Sequence, residues 1–365
     1  MAVEKNDGAF GAQPDAWAGA SDAHLSHAAS GSGFGAVGGC VPCAGVQGTP
    51  IPRSCKSGAG VRMVHGAGQD VIHVQSDSGE GTMTFFEVFP GVSLSYNDFH
   101  MDRYDSGFVV DGSVLCIDHC REGRIEQPVS GGAYSYVAAG DLKIDDRTRH
   151  TGEFVLPLAH YHGITVSFEI ERAAASIEQA LGGFPVDLRA LRDRFCVGGD
   201  PLIMHDAPGV EHIFSELYSV PEEIRSTYFR IKVLELLLFL QVLEPNAKVE
   251  RRPYFYRSQV EKVKAARDLM VSDLAVERTT EELAERFGLP LTAFKSCFRG
   301  VYGMPLYAYI RAYRMEHAAS LLRDTDMRVA DIGLVVGYDS PSKFTAAFRA
   351  VMGDTPTGYR RTRRR

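Results

Sequence analysis

Thr280-Glu-Glu-Leu-Ala-Glu-Arg-Phe-Gly288, followed by Leu291-Thr-Ala-Phe-Lys-Ser-Cys-Phe-Arg299, recurs in outline further along the chain. The second copy is Arg328-Val-Ala-Asp-Ile-Gly-Leu-Val-Val-Gly337, then Tyr338-Asp-Ser-Pro-Ser-Lys-Phe-Thr-Ala-Ala-Phe-Arg349. Each copy reads as a short helix, a tight turn and a second helix. In the first, Thr280 is placed to cap a helix whose early turn carries Glu281 and Glu282, and acids there suit the positive end of the helix dipole. Gly288 and Gly337 close the two first helices, as residues free to take positive φ should. Leu291, Phe294 and Phe298 fall on one stripe of the first copy, and Val329, Ile332, Phe344 and Phe348 fill the inner face of the second. Thr292, Lys295, Ser296 and Arg299 then face outward, as do Ser342, Lys343, Thr345 and Arg349. A helix-turn-helix needs this layout, because its first helix braces the second so that the exposed side enters a major groove.

Between the copies, Leu306 to Leu322 reads as one amphipathic helix, with Leu306, Tyr309, Ile310, Tyr313 and Leu321 at helical spacing. Its length of roughly 25 Å approaches the scale of one DNA turn, near 34 Å, once packing offsets are added. Two readers so joined reach successive major grooves on one face of a duplex.

Residues 258–361 resemble the DNA-binding domain of the AraC/XylS family. Leu283-Ala284, Phe294, Phe298, Tyr302-Gly303, Pro305, Tyr309, Arg314, Ala318 and Leu321-Leu322 carry the resemblance in the first half. In the second half, Ile332, Gly337-Tyr338, Ser342-Lys-Phe344, Phe348, Gly353, Thr355-Pro356 and Tyr359-Arg360 carry it. Gly333-Leu334 departs from the pattern, and a helical glycine costs about 1 kcal/mol relative to alanine. The resemblance implies a cytoplasmic transcription factor in which Thr292, Lys295, Ser296, Ser342, Lys343 and Ala346 match the base-reading positions. Lys donates to guanine O6 and N7, Ser and Thr to several base edges, and Ala346 offers only contact with a thymine methyl. The alternative for either lysine is a phosphate contact, which positions without specifying sequence. Arg299 and Arg349 suit phosphates. The tail Arg360-Arg361 and Arg363-Arg-Arg365 would add salt-dependent affinity or merely solubilise the end.

Charge agrees with this division. The 365 residues carry a net charge of −7, yet from Arg251 onward there are 21 Lys and Arg against 13 Asp and Glu. The remaining 250 residues hold 18 against 33, an acidic body before a basic module. The length calls for more than one domain, and 45% apolar with 23% charged residues is ordinary globular composition. No run approaches the roughly 18 apolar residues of a membrane span, and no secretory pattern opens the chain. Seven scattered cysteines suit a reducing compartment.

Upstream, residues 1–78 form a Gly/Ala/Ser-rich leader expected to be disordered, with a little strand near Val71–Val74. Residues 79–172 alternate with period two. Thr82–Val88, Val92–Tyr96, Val114–His119, Tyr134–Val137, Leu142–Asp145 and Ile164–Ile170 lie between turns such as Asp111-Gly112 and Gly140-Asp141. This predicts a small cupin-like β-barrel enclosing a ligand pocket. Residues 173–250 form a helical cap and a candidate dimerisation region. There Ile231, Leu234, Leu238 and Val242 make an apolar stripe, widened by Leu237 and Leu240, that packs on the barrel or on a second copy. Pro245-Asn246 and Arg251-Arg-Pro253 read as a linker. The fold class is therefore α+β multidomain: a barrel with a helical cap, then an all-α domain of two helix-turn-helix units and a linker helix. Cys116–Glu126, Gly140–Leu142, Tyr161–Ile164 and Ile231–Leu240 are similar to the sensor region of the siderophore-regulator branch of the same family.

That similarity implies an effector or protein partner bound by the sensor, a homodimer on double-stranded DNA, and contact with RNA polymerase. It names neither effector nor operator, nor whether transcription rises or falls. No cofactor is expected, and neither catalysis nor metal binding has a supporting pattern. Cys40, Cys43 and Cys55 are three thiols at loose spacing, where zinc wants four ligands, so a zinc-bearing DNA-repair methyltransferase is set aside. His100, His119, His160 and His162 with Cys116 and Cys120 lack the cupin metal spacing, and on a strand His119 faces away from Cys116, Asp118 and Cys120. No nucleophile elbow, phosphate loop or His-Glu-X-X-His motif occurs, which leaves a DNA-tethered cupin enzyme as the poorest alternative.

Overall fold

The computed structural model describes residues 60–66, 68–105, 113–147, 153–205, 207, 209–244 and 253–363. Cys40, Cys43, Cys55, Asp111-Gly112, Pro245-Asn246, Arg251-Arg252, Arg364 and Arg365 lie outside those residues. Two compact units are present: the described residues up to Lys264 with Phe287–Pro305, and Ala265–Arg286 with the chain from Leu306 onward.

The first unit is built on antiparallel strands β1 (Val61–His65), β2 (Asp70–Ser76), β3 (Gly79–Phe89), β4 (Val92–His100), β5 (Arg103–Asp105) and β6 (Val114–Val129). They continue as β7 (Ala133–Ala138), β8 (Asp141–Asp146), β9 (Glu153–Val155), β10 (Tyr161–Glu169), β11 (Leu202–His205) and β12 (Phe255–Tyr256). The six stretches read as alternating all fall on strands, apart from Ile170, which opens the following helix. The sheet starts at Val61 rather than residue 79, because the Val71–Val74 stretch is extended through β2 and hairpins with β1.

The main path runs β1-β2-β3-β4-β10-β6-β7-β12, ending on β1 at one side and on β12 at the other. It is a curled half-barrel where a closed barrel is expected. The curl follows from β6, whose 16 residues pair with β10 and β8 along the first half and with β7 along the second. A register shift at His162/Gly163 bends the strands there, as bulges do. Beside it Gly123 takes φ +86°, where an added Cβ would sit 2.1 Å from the His160 carbonyl oxygen.

One face of the sheet carries α1 (Ile170–Leu181), α2 (Leu188–Phe195), α3 (Glu211–Leu217) and α4 (Arg225–Val242). Leu94, Ile117, Leu142, Ile144, Ile164 and Val166 of the strands join Phe214, Phe229, Val233 and Leu236 of the helices in one core. The buried face of α4 is Phe229, Val233, Leu236, Leu237 and Leu240. The stripe expected to pack on the barrel or on a second copy is largely open in this chain: Ile231, Leu238 and Val242 are 56%, 43% and 75% exposed. Aromatic packing sets the rotation, since the Phe229 ring lies 5.3 Å from Phe86 and 6.2 Å from Tyr96.

The opposite face buries polar groups. Asp118 accepts from Arg147 Nη2 at 2.7 and 3.0 Å and from Thr165 Oγ1, and pairs with Lys143 Nζ at 3.1 Å. Lys143 also reaches Asp145 and Gln127, each at 3.2 Å. Burial would raise the Asp118 pKa, but Arg147, Lys143 and the Thr165 hydroxyl outweigh it and hold the carboxyl well below the usual range. His119 points the other way, stacked on Phe214 at 4.6 Å, and burial pushes its pKa down to about 4 against the pull of Asp141. Cys116 and Cys120 are buried apart from it. Among the described residues, no group of three or more His, Cys, Asp and Glu is arranged to hold a metal ion.

α5 (Arg257–Val271) carries the chain from one unit to the other, and α6 (Thr280–Arg286) follows. α7 (Leu291–Tyr302) belongs to the sheet unit, whereas α8 (Leu306–Asp324), α9 (Val329–Val335), α10 (Pro341–Met352) and α11 (Pro356–Arg363) complete the second. By its contacts, given below, α7 groups with the sheet.

Candidate nucleic-acid interface

The second copy of the repeat is a packed unit. Phe344 and Phe348 of α10 are buried with Met315, Ala318, Ala319 and Leu322 of α8, Ile332 and Val336 near α9, and Tyr359 of α11. α8 has 19 residues, about 28 Å at 1.5 Å per residue. Pro341 occupies the first turn of α10, Ser340 caps it with a long 3.4 Å bond from Lys343 N, and Gly353 ends it at φ +77°. The turn before it uses Gly337 at φ +82°, and a Cβ there would lie 2.3 Å from the Leu274 carbonyl oxygen. Arg314 spans the same corner, donating to that oxygen at 2.7 Å and lying over the Tyr338 ring.

A Cβ at Gly333 would sit 3.3 to 3.6 Å from Phe344, slightly tight to ordinary contact, so α9 lies close on α10 at this point. The exposed side of α10 presents Ser342, Lys343, Ala346 and Arg349, with Thr345 half-buried at its edge.

α7 presents the same chemistry. Thr292, Lys295, Ser296 and Arg299 are exposed, and their spacing of three, four and seven places them on one face. Phe294, Cys297, Phe298, Val301 and Tyr302 are buried opposite, while Leu291 is only half-buried. Burial, reinforced by the nearby Glu126 carboxylate, pushes the Cys297 thiol up to about 12, so it acts as a packing side chain. Ahead of α7, the cap of α6 is Thr279 and not Thr280. Its hydroxyl accepts from Glu282 N at 3.1 Å while the Glu282 carboxylate accepts from Thr279 N at 2.9 Å, a reciprocal capping box.

Each helix thus offers hydroxyls, one lysine and one arginine from a rigid element backed by two phenylalanines. Such groups suit base edges and phosphates. The basic tail divides further. Arg361 and Arg363 are exposed, but Arg360 donates to Met327 O at 2.7 Å and Leu322 O at 3.3 Å, stapling α11 to the end of α8. Arg360 is therefore a structural residue and not a free tail cation. Arg124 and Glu126, within the Cys116–Glu126 stretch, and Phe255 touch the C-terminal half of α7 or its surroundings, contacts that no local sequence pattern signals.

These features define a helix-turn-helix protein. Residues 283–362 match the family described as helix-turn-helix domain, and the domain is of the AraC type. The regulatory protein PchR of Pseudomonas aeruginosa is 33% identical over 137 residues, covering 36% of this chain and 46% of that protein. The HTH-type transcriptional regulator ExsA of the same organism is 38% identical over 79 residues, 22% of this chain and 28% of the relative. Less than half the length of either relative is spanned. Among solved structures, the C-terminal domain of AraT, a response regulator from Geobacillus stearothermophilus, is 31% identical. That match covers 28% of this chain and 85% of the other at a TM-score of 0.27. Among the described residues, no helix is long and apolar enough to cross a membrane.

Proposed function

We propose that this chain is a sequence-specific DNA-binding transcriptional regulator, working as a homodimer in the cytoplasm under the control of a small-molecule effector. The observation that carries the reading is the pair of exposed faces: Thr292, Lys295, Ser296 and Arg299 on α7, and Ser342, Lys343 and Arg349 on α10 with Thr345 half-buried at the edge. Lys295 and Lys343 read base edges, and Arg299 and Arg349 hold phosphates. RNA polymerase is the partner through which a bound regulator acts.

The half-barrel is the proposed sensor. Its support is the similarity of Cys116–Glu126, Gly140–Leu142 and Tyr161–Ile164 to the sensor region of the same family. A ligand that favours one arrangement of the sheet shifts DNA affinity by its own difference in affinity for the two states, and by no more. The exposed Ile231, Leu238 and Val242 on α4 support the dimer.

The test is the affinity of the full chain for duplex DNA as a function of salt and base identity, with Lys295→Ala and Lys343→Ala as variants. Loss of preference at a few positions marks a base reader, whereas uniform weakening marks a phosphate contact.

A further inference from the structure

We infer that Arg124 and Phe255, supported by Glu126, are positioning residues that make the sheet unit fix where the α7 reading face stands. The inference rests on the DNA-binding reading above and adds residues outside the helix-turn-helix repeat.

Arg124 lies in the second half of β6 and is only 9% exposed. Its Nη2 donates to the Gly300 carbonyl oxygen at 2.7 Å, and its guanidinium lies over the Tyr136 ring. Gly303 caps the end of α7 at φ +79°, and a Cβ there would stand 2.8 Å from Arg124 Nη1. The guanidinium therefore occupies the C-terminal end of the helix, where unsatisfied carbonyls and the negative end of the dipole favour a cation.

A second contact is independent of charge. Gly300 sits inside α7, where glycine is disfavoured. A Cβ on it would lie 2.1 Å from Phe255 Cε2 and 2.4 Å from Cζ, so the helix backbone and the ring meet directly. Phe255 is held by β12, which pairs with β7. Glu126 completes the support. It is buried, accepts from Tyr136 Oη at 2.8 Å and pairs with Lys264 Nζ at 2.6 Å, locking the rings and strand that Arg124 packs on.

None of these contacts covers the reading side chains, since Thr292, Lys295, Ser296 and Arg299 remain exposed. The helix is held from behind. Its order is fixed before DNA arrives, which lowers the cost of ordering on binding.

The experiment uses the full chain and a duplex recovered from a random-sequence pool by the wild-type protein. Gly300→Ala should favour the isolated helix, yet here it should weaken binding about tenfold by pushing α7 off Phe255. The loss should fall on the base positions whose preference Lys295→Ala also removes, and spare those set by Lys343. Phe255→Ala in the Gly300→Ala background should return affinity to within about threefold of wild type. Arg124→Ala should act in the same direction, with Arg124→Lys between it and wild type. Hydrogen exchange at the amides of residues 299–303 should rise in Gly300→Ala and Arg124→Ala, and stay unchanged in β10. Wild-type binding by Gly300→Ala, an equal loss at the positions set by Lys343, or unaltered exchange at residues 299–303 would each overturn the inference. If the wild-type chain retains no duplex at all, the DNA-binding reading fails, and the exchange data alone still decide the docking.

Discussion

Asp118→Ala should destabilise the sheet unit by about 3 kcal/mol, near the lower end of the range for breaking a buried ion pair. The size follows from what each cation retains. Lys143, with its side chain 3% exposed, keeps Asp145 and Gln127 at 3.2 Å and is largely compensated. Arg147 keeps the Asp145 carboxylate only at 3.8 Å, so its charge is left poorly paired in a side chain 20% exposed. Thr165 loses its acceptor but still receives a bond from Asn97 Nδ2 at 2.9 Å. Asp118→Asn preserves an acceptor and the shape of the site, and should cost about half as much. The assay is urea unfolding followed by far-UV circular dichroism, because the single tryptophan, Trp17, lies outside the described residues. With two units in the chain, the early or late step that moves identifies the sheet. A loss below about 1 kcal/mol for the alanine variant, or equal losses for both variants, would refute the view that charge pairing holds this face together.

Two further outcomes concern the second unit. Phe344→Ala should cost about 3–5 kcal/mol, since the ring is 1% exposed among α8, α9 and α10, and calorimetry should show that unit melting earlier while the sheet transition stays in place. Arg360→Ala should destabilise the same unit by about 1–3 kcal/mol through lost bonds to Met327 and Leu322, and leave the salt dependence of DNA binding unaltered.

The parts legible in the sequence are those fixed by local pattern. The α7 and α10 faces follow from phenylalanines four apart with a lysine or arginine on the opposite side, and the strands from period-two alternation in short runs. Gly288 and Gly337 mark their turns because positive φ excludes most other residues there. The rotation of α4 is not legible because its 3.6-residue periodicity yields two apolar stripes, and only the placement of Phe86 and Tyr96 selects the one that meets the sheet. Thr279 and Thr280 are adjacent and equally able to cap, and the reach of Glu282 decides between them. Arg124 and Gly300 are 176 residues apart, and no local signal joins them. Arg360 stands in a basic run whose composition suggests solvent, while its geometry is that of a helix staple.

The central claim is that the two exposed helix faces bind DNA, and salt dependence of the full chain's affinity for a duplex tests it most directly. The two phosphate-holding cations on those faces, Arg299 and Arg349, give a log–log slope of about −1.8 and roughly a 12-fold loss between about 50 and 200 mM salt. Arg299→Ala and Arg349→Ala should each make the slope shallower by about 0.9. A wild-type slope shallower than about −1, or one that neither variant changes, would contradict the account.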